Sequence, residues 1–120
     1  MKGWLLTALL GLVTVGTAQA HDWRLFYDKD DSKSYVDDAQ LDKEKHTGWF
    51  KLLPKQGPLA KRNIILSEEA DCIQSRYRIL HYDVYTLDGK LIESSDAPDI
   101  WLPVIPNTCG EEGVKLMCGQ

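Results

Sequence analysis

Positive charge is scarce in this chain. Its 14 Lys and Arg face 18 Asp and Glu, giving a net charge of −4 and a pI near 5.3. That balance argues against a dedicated nucleic-acid binder, which carries a basic face. No Gly-x-Ser-x-Gly, Cys-x-x-Cys or His-Glu-x-x-His pattern occurs, so the common hydrolase, dithiol and zinc-protease signatures are missing. Past residue 20 no apolar run is long enough to span a bilayer. Internal repeats and low-complexity segments are lacking too, and cysteine is limited to Cys72, Cys109 and Cys118. What is left is an ordinary globular composition, 43% hydrophobic over 120 residues, which suits one compact domain.

The first twenty residues read as an address. Met1-Lys2-Gly3 gives a positive start. Trp4 to Val15 is an apolar core broken by Thr7, Gly11 and Thr14, and Ala18-Gln19-Ala20 supplies small residues at the end. This order predicts a secretory signal peptide at residues 1–20 and a single mature domain at residues 21–120, beginning at His21. No cysteine lies near that junction, so no lipid anchor is expected. The expected location is periplasmic, secreted or at the cell surface, without membrane insertion. Such a compartment is oxidising, and a disulfide can form there.

Within residues 21–120 the pattern is mostly of period two. Trp23, Leu25 and Tyr27 alternate with Arg24, Phe26 and Asp28, which predicts a first strand. The polar run Asp28 to Lys33 turns the chain into a short second strand at Ser34-Tyr35-Val36. His46 to Leu53 forms a third, ended by Pro54 and Gly57-Pro58. Asn63 to Leu66 begins a fourth that runs towards Cys72, and Arg76 to Thr86 is a strong fifth. Asp88-Gly89 predicts a type I′ turn into a short sixth strand, Lys90 to Glu93.

At Thr108 the period changes. Thr108-Cys109-Gly110-Glu111 fits a capping box, and Val114, Met117 and Cys118 share one helical face. Gly110 and Gly113 make the helix short and dependent on docking. The predicted class is α+β: an antiparallel sheet of about six strands with one short C-terminal helix packed on a face.

Few residues carry candidate chemistry. Ser67, Glu68, Glu69 and Asp71 lie close together without a nucleophile–base pattern and read as a polar strand end. Asp28, Asp30 and Ser32 imitate the opening of a calcium loop. Lys33 stands where that loop needs glycine and Ala39 where it needs glutamate, which leaves a solvated acidic turn. His21 could chelate copper through its amine and imidazole only with a second histidine, His46 or His81; a frayed terminus is the simpler reading. His81, placed on a strand face with Tyr77, Ile79, Asp83 and Tyr85, reads as a satisfied strand residue rather than a haem ligand. No metal, cofactor or enzymatic activity is therefore expected. Lys55, Lys61 and Arg62 form the basic cluster outside the fifth strand, and Arg76 and Arg78 alternate with tyrosine on it.

Taken in order, certain residues resemble the surface-adhesin protein E (Adhesin_E) family of proteobacteria. They are Trp23, Ser34-Tyr35, the Trp49 strand, Glu69-Ala70-Asp71-Cys72, Arg76-Tyr77-Arg78-Ile79-Leu80, Trp101, Ile105-Pro106-Asn107-Thr108 and Cys118. The resemblance implies the same sheet-and-helix fold, with a Cys72–Cys118 disulfide tethering helix to sheet. Helix geometry agrees. A helix from Thr108 sets Cys109 and Cys118 about 13.5 Å apart, beyond the roughly 7 Å that a disulfide spans. Cys109 is additional to the family's pair. It is left as a free thiol or as an intermolecular bond in a homodimer, and its place in the first helical turn predicts a reactive, easily ionised thiol.

For function, the resemblance implies an exported, non-enzymatic binding module. The best-known member of the family binds host matrix proteins, plasminogen and haem. A protein partner is expected, from the host extracellular matrix or the cell envelope, with Lys61, Arg62, Arg76 and Arg78 as binding residues. Two other readings stay open: a periplasmic accessory or structural protein of the envelope, and a small haem- or copper-binding protein.

Overall fold

The alternation of the sequence becomes one antiparallel sheet. Its strands are β1 (Trp23–Asp28), β2 (Ser32–Asp37), β3 (Thr47–Pro54), β4 (Arg62–Asp71), β5 (Arg76–Thr86), β6 (Leu91–Asp96) and β7 (Leu102–Pro103), followed by one helix, α1 (Cys109–Met117). A computed structural model describes residues 21–120, and the expected signal peptide at 1–20 lies outside the described residues. Strands β1 to β6 neighbour one another in chain order. The long β5 has its outer edge shared: His81 to Tyr85 pair with β6, and Arg76 and Tyr77 pair with β7. The seventh strand was not expected. It is two residues long and ends in a proline, so it has no period to read, and a sheet edge tolerates the missing N–H donor of Pro103.

The β5–β6 turn also differs from expectation. A type I′ turn needs positive φ at both central residues, but here Gly89 alone has it, at 95°. The Gly89 N–H donates to the Thr86 carbonyl at 3.0 Å and the Thr86 N–H to the Lys90 carbonyl at 2.9 Å. This is a three-residue loop, a type I turn followed by a left-handed glycine.

One face of the sheet carries the core. Val36, Phe50, Ile64, Leu66, Ala70 and Val84 are buried there against Val114 and Met117 of α1. The helix starts and stops where its chemistry requires. Thr108 Oγ1 accepts the Glu111 N–H, and the Glu111 carboxylate accepts the N–H of Asn107, one residue earlier than a capping box requires. At the other end Gly119, at φ 75°, turns the chain so that Gly119 and Gln120 donate to the Leu116 and Lys115 carbonyls, a Schellman closure. Gly110 permits the close approach: a Cβ there would lie 2.9 Å from the Tyr77 hydroxyl. The Cys72–Cys118 bond then fixes the helix end to the turn after β4, with Cα atoms 5.9 Å apart.

Candidate functional site

Among the described residues α1 covers one face of the sheet and no helix covers the other, which makes that other face the candidate surface for recognition. Register sets its residues. Tyr35 stands opposite Lys51, Trp49 opposite Ser67, and Ser67 opposite His81. Aromatic rings and cations interleave across it. The Lys51 ammonium lies 5.2 Å from the Trp23 ring centre and 4.7 Å from that of Tyr35. Both guanidinium groups, Arg76 and Arg78, lie 4.6 Å from the Trp101 ring centre. Trp49 meets His81 edge-on at 6.5 Å, and His21 stacks on Trp23 at 4.7 Å. Such contacts hold side chains in place before a partner arrives.

A bulge decides which tyrosines belong to this face. Ser67 pairs with His81 but Glu68 pairs with Ile79, so Leu80 is extra on β5. The slip turns Tyr77 and Ile79 towards the helix while His81, Asp83 and Tyr85 stay on the open face. The expected grouping of His81 with Tyr77 and Ile79 is therefore corrected, because a bulge reverses parity and period-two reading does not see it.

The four expected binding residues fall in two places. Arg62 pairs with Thr86 and Arg76 with Asp71, at opposite ends of the β4–β5 ladder, about 30 Å apart at the usual rise per residue. At one end Lys61 and Arg62 join Lys33 around a shallow depression that also includes Leu53 and Leu87. No acidic side chain pairs with Lys33, Lys61 or Arg62 among the described residues, whereas Lys55 is held by Asp28 at 2.7 Å. At the other end the arginines are engaged. Arg76 pairs with Asp71 at 3.0 Å, and Arg78 with Glu69 at 2.7 Å and Asp99 at 2.6 Å. They present fixed guanidinium planes under Trp101 rather than free charge. Ile73, 96% exposed at the tip of the β4–β5 turn, adds an apolar projection at that end.

His81 sits in a constellation the sequence did not reveal. Its Nδ1 is 2.9 Å from Asp96, its Nε2 is 3.0 Å from Asp83, and the Ser94 hydroxyl lies 3.4 Å from the same Nε2. Serine, histidine and aspartate in that order suggest a nucleophile with its base. The bonding argues otherwise: Ser94 donates to Asp83 instead, and the carboxylates of Asp96 and Asp83 raise the His81 pKa. With a carboxylate oxygen on each ring nitrogen, neither nitrogen is free to take a proton from serine. The cluster is a buttress between β5 and β6.

The remaining histidines are structural. His21 meets the buried Asp37 at 2.7 Å. Burial works to raise the Asp37 carboxyl, but bonds from His21, the Asp22 N–H, Gln40 and the Ala39 N–H hold it below the usual carboxylate range. His46 lies near Cys72 and Cys118, a group whose donor atoms fall within 4.8 Å of one another, but the two sulfurs are joined in the disulfide. Asp28 and Asp31 are taken by Lys55 and by the Tyr27 hydroxyl, as suits an acidic turn.

Cys109 departs from its expected chemistry. Its thiol turns inward and donates to the Ser34 hydroxyl at 3.0 Å. Burial pushes its pKa up, opposing the helix N-terminus, so the reactive thiolate expected from position alone is corrected. Beside it a cavity of about 350 Å³ opens between α1 and the sheet, with Glu68 in its wall.

Among the described residues no helix is long and apolar enough to cross a membrane. No curated protein and no solved structure matches the chain. One family model does, that of surface-adhesin protein E, over residues 23–119. The match takes in both faces of the sheet, the helix and the Cys72–Cys118 bond, and the chain belongs to the surface-adhesin protein E family.

Proposed function

We propose that residues 21–120 form an exported, non-enzymatic binding module that recognises a protein partner through the uncovered face of the sheet. The observation that carries this reading is the interleaving of Trp23, Tyr35, Trp49 and Trp101 with Lys51, Arg76 and Arg78 on that face. Trp, Tyr and Arg dominate binding hot spots because they bury much area and lose little entropy when already ordered. The unpaired Lys33, Lys61 and Arg62 at the far end add attraction for an acidic partner. Membership of an adhesin family supports a surface-acting protein of this kind. The partner class is a host extracellular-matrix protein.

The test is a pull-down with the mature domain, run in parallel on solubilised host matrix and on the envelope of the producing cell. A matrix protein should be retained. Trp101→Ala should weaken it tenfold or more. The double variant Lys61→Glu, Arg62→Glu should weaken it in a salt-dependent way while moving stability by within about 0.5 kcal/mol. Retention of envelope proteins alone would replace the host partner with a periplasmic accessory role. Binding indifferent to all three substitutions would remove this face from the mechanism.

Export carries its own expected result. The mature protein's intact mass should begin at His21 with no acyl chain. A species retaining Met1 to Ala20 would refute the signal-peptide reading.

A further inference from the structure

The helix-covered face holds a group that the binding function does not use. On β4 the residues Ile64, Leu66, Glu68 and Ala70 all turn towards α1, so a carboxyl interrupts the apolar stripe of a central strand. Burial alone pushes the Glu68 pKa up to about 8, with no hydrogen bond or ion pair offsetting it. The carboxyl lies in the wall of the 350 Å³ cavity, whose other walls include Phe26, Phe50, Leu66 and Ile79. Glu68 is half-buried rather than fully enclosed, and a carboxyl partly withdrawn from water without a partner still costs stability where the strand's other helix-facing residues are apolar.

Among the described residues its titratable neighbours, Lys51 apart, are acids. Tyr77 from β5 and Cys109 from α1 both feel the Glu68 charge and have raised pKa values, chiefly through burial. Asp31, from the turn after β1, is a second acid in the lining. Lys51 also borders the cavity, but its ammonium is on the opposite face, over Trp23 and Tyr35. The cavity thus combines apolar and aromatic walls, room for a small molecule, and a carboxyl lacking a cation.

We propose that this cavity binds a small organic cation, an alkyl- or arylammonium compound whose apolar body lies against Phe26 and Phe50 and whose ammonium pairs with Glu68. The volume lies within the range of ordinary small-ligand pockets. An ammonium supplies the counter-charge the site lacks, and the aromatic rings favour its adjacent methylenes. Binding at neutral pH is balanced by one proton: the Glu68 carboxyl releases it to solvent as the ammonium takes its place.

Titration calorimetry of the mature domain tests this with three probes that share a phenylethyl body: 2-phenylethylammonium, 2-phenylethanol and 3-phenylpropionate. The cation should bind at least tenfold more tightly than the alcohol, and the anion should bind least. Heats in two buffers of different ionisation enthalpy should report close to one proton released per cation at pH 7. Affinity should rise nearly tenfold from pH 6 to pH 7 and level off above pH 8. Glu68→Gln should lose at least tenfold in affinity with its thermal transition intact. In the unaltered protein the Glu68 carboxyl carbon should shift to its ionised position on adding the cation at pH 7, a readout independent of any variant. Trp101→Ala, the variant that should weaken the protein partner, should leave the cation's affinity unchanged, which separates this site from the protein-binding surface. Equal binding of the alcohol or the anion, full affinity in Glu68→Gln, or no carboxyl shift at millimolar cation would each overturn the proposal.

Discussion

Breaking the Cys72–Cys118 bond should cost about 4 kcal/mol of folding stability by the loop-entropy relation, since it closes a span of 46 residues. That is a large share of the stability of a small domain, and it corresponds to a fall in Tm of about 15–30 °C. The double variant Cys72→Ser, Cys118→Ser, unfolded in urea, measures it. Helix α1 should suffer first. It is nine residues long with glycines at two positions and makes few independent turns. Its place depends on Val114 and Met117 in the core and on the bond at its end. Amide exchange in α1 should therefore accelerate more than in β3 or β4. Cys109→Ser is the matched control, since Cys109 is free and only donates to Ser34. A loss under about 1 kcal/mol in the double variant would mean that the unfolded chain is already compact or that the core holds the helix unaided.

Much of the sheet could be read from period alone. Strand β1 covers the expected residues, β5 runs over Arg76–Thr86 as expected, and Thr108 caps the helix. The departures have one physical source: local pattern fixes which residues alternate but not where the alternation slips. The bulge at Leu80 moved His81, Asp83 and Tyr85 to the face opposite Tyr77 and Ile79. Asp88 and Gly89 gave the hairpin, but the sign of φ at Asp88 depends on how the flanking strands meet. Strand β7 exists because Arg76 and Tyr77 need a partner beyond the end of β6, a demand made by the sheet rather than by Leu102 and Pro103. The candidate site was legible in composition and not in arrangement. Arg76 and Arg78 were visible as cations, while Trp101, some twenty-three residues onward, stacks on them only through tertiary packing. Glu68 had a readable signal: Ile64, Leu66 and Ala70 on alternate positions place the residue between them on the helix-covered face. Its neighbours Ser67 and Glu69 masked that parity.

Glu68 should also give the domain an unusual dependence on pH. A carboxyl whose pKa rises to about 8 on folding keeps a proton that the unfolded chain releases near its ordinary value of 4.5. Between those values the folded state binds more protons, so stability falls as pH rises through the window and levels off above it. From pH 4.5 to pH 7 the loss from this group approaches about 3 kcal/mol, less whatever water entry into the cavity restores. Two other sets of groups act in the same experiment. The carboxyls of Asp37, Asp71 and Asp42 are held below their ordinary range, so their contribution is present above the unfolded value near 3.8 and is lost as pH falls below it. His81, raised by Asp96 and Asp83, contributes stability below its unfolded value near 6.5 that is lost as pH rises through its folded value. The unaltered protein should therefore be most stable near pH 5, with a limb on each side. Glu68→Gln keeps Asp37, Asp71, Asp42 and His81 and removes only the Glu68 titration. Urea unfolding of both proteins at pH 5 and pH 7 isolates it: the difference in stability between variant and parent should move by roughly 2–3 kcal/mol in favour of the variant at the higher pH. Parallel profiles would place the Glu68 carboxyl in water, with an ordinary pKa, and would take away both its cost to folding and the need for the counter-charge that a cation is asked to supply.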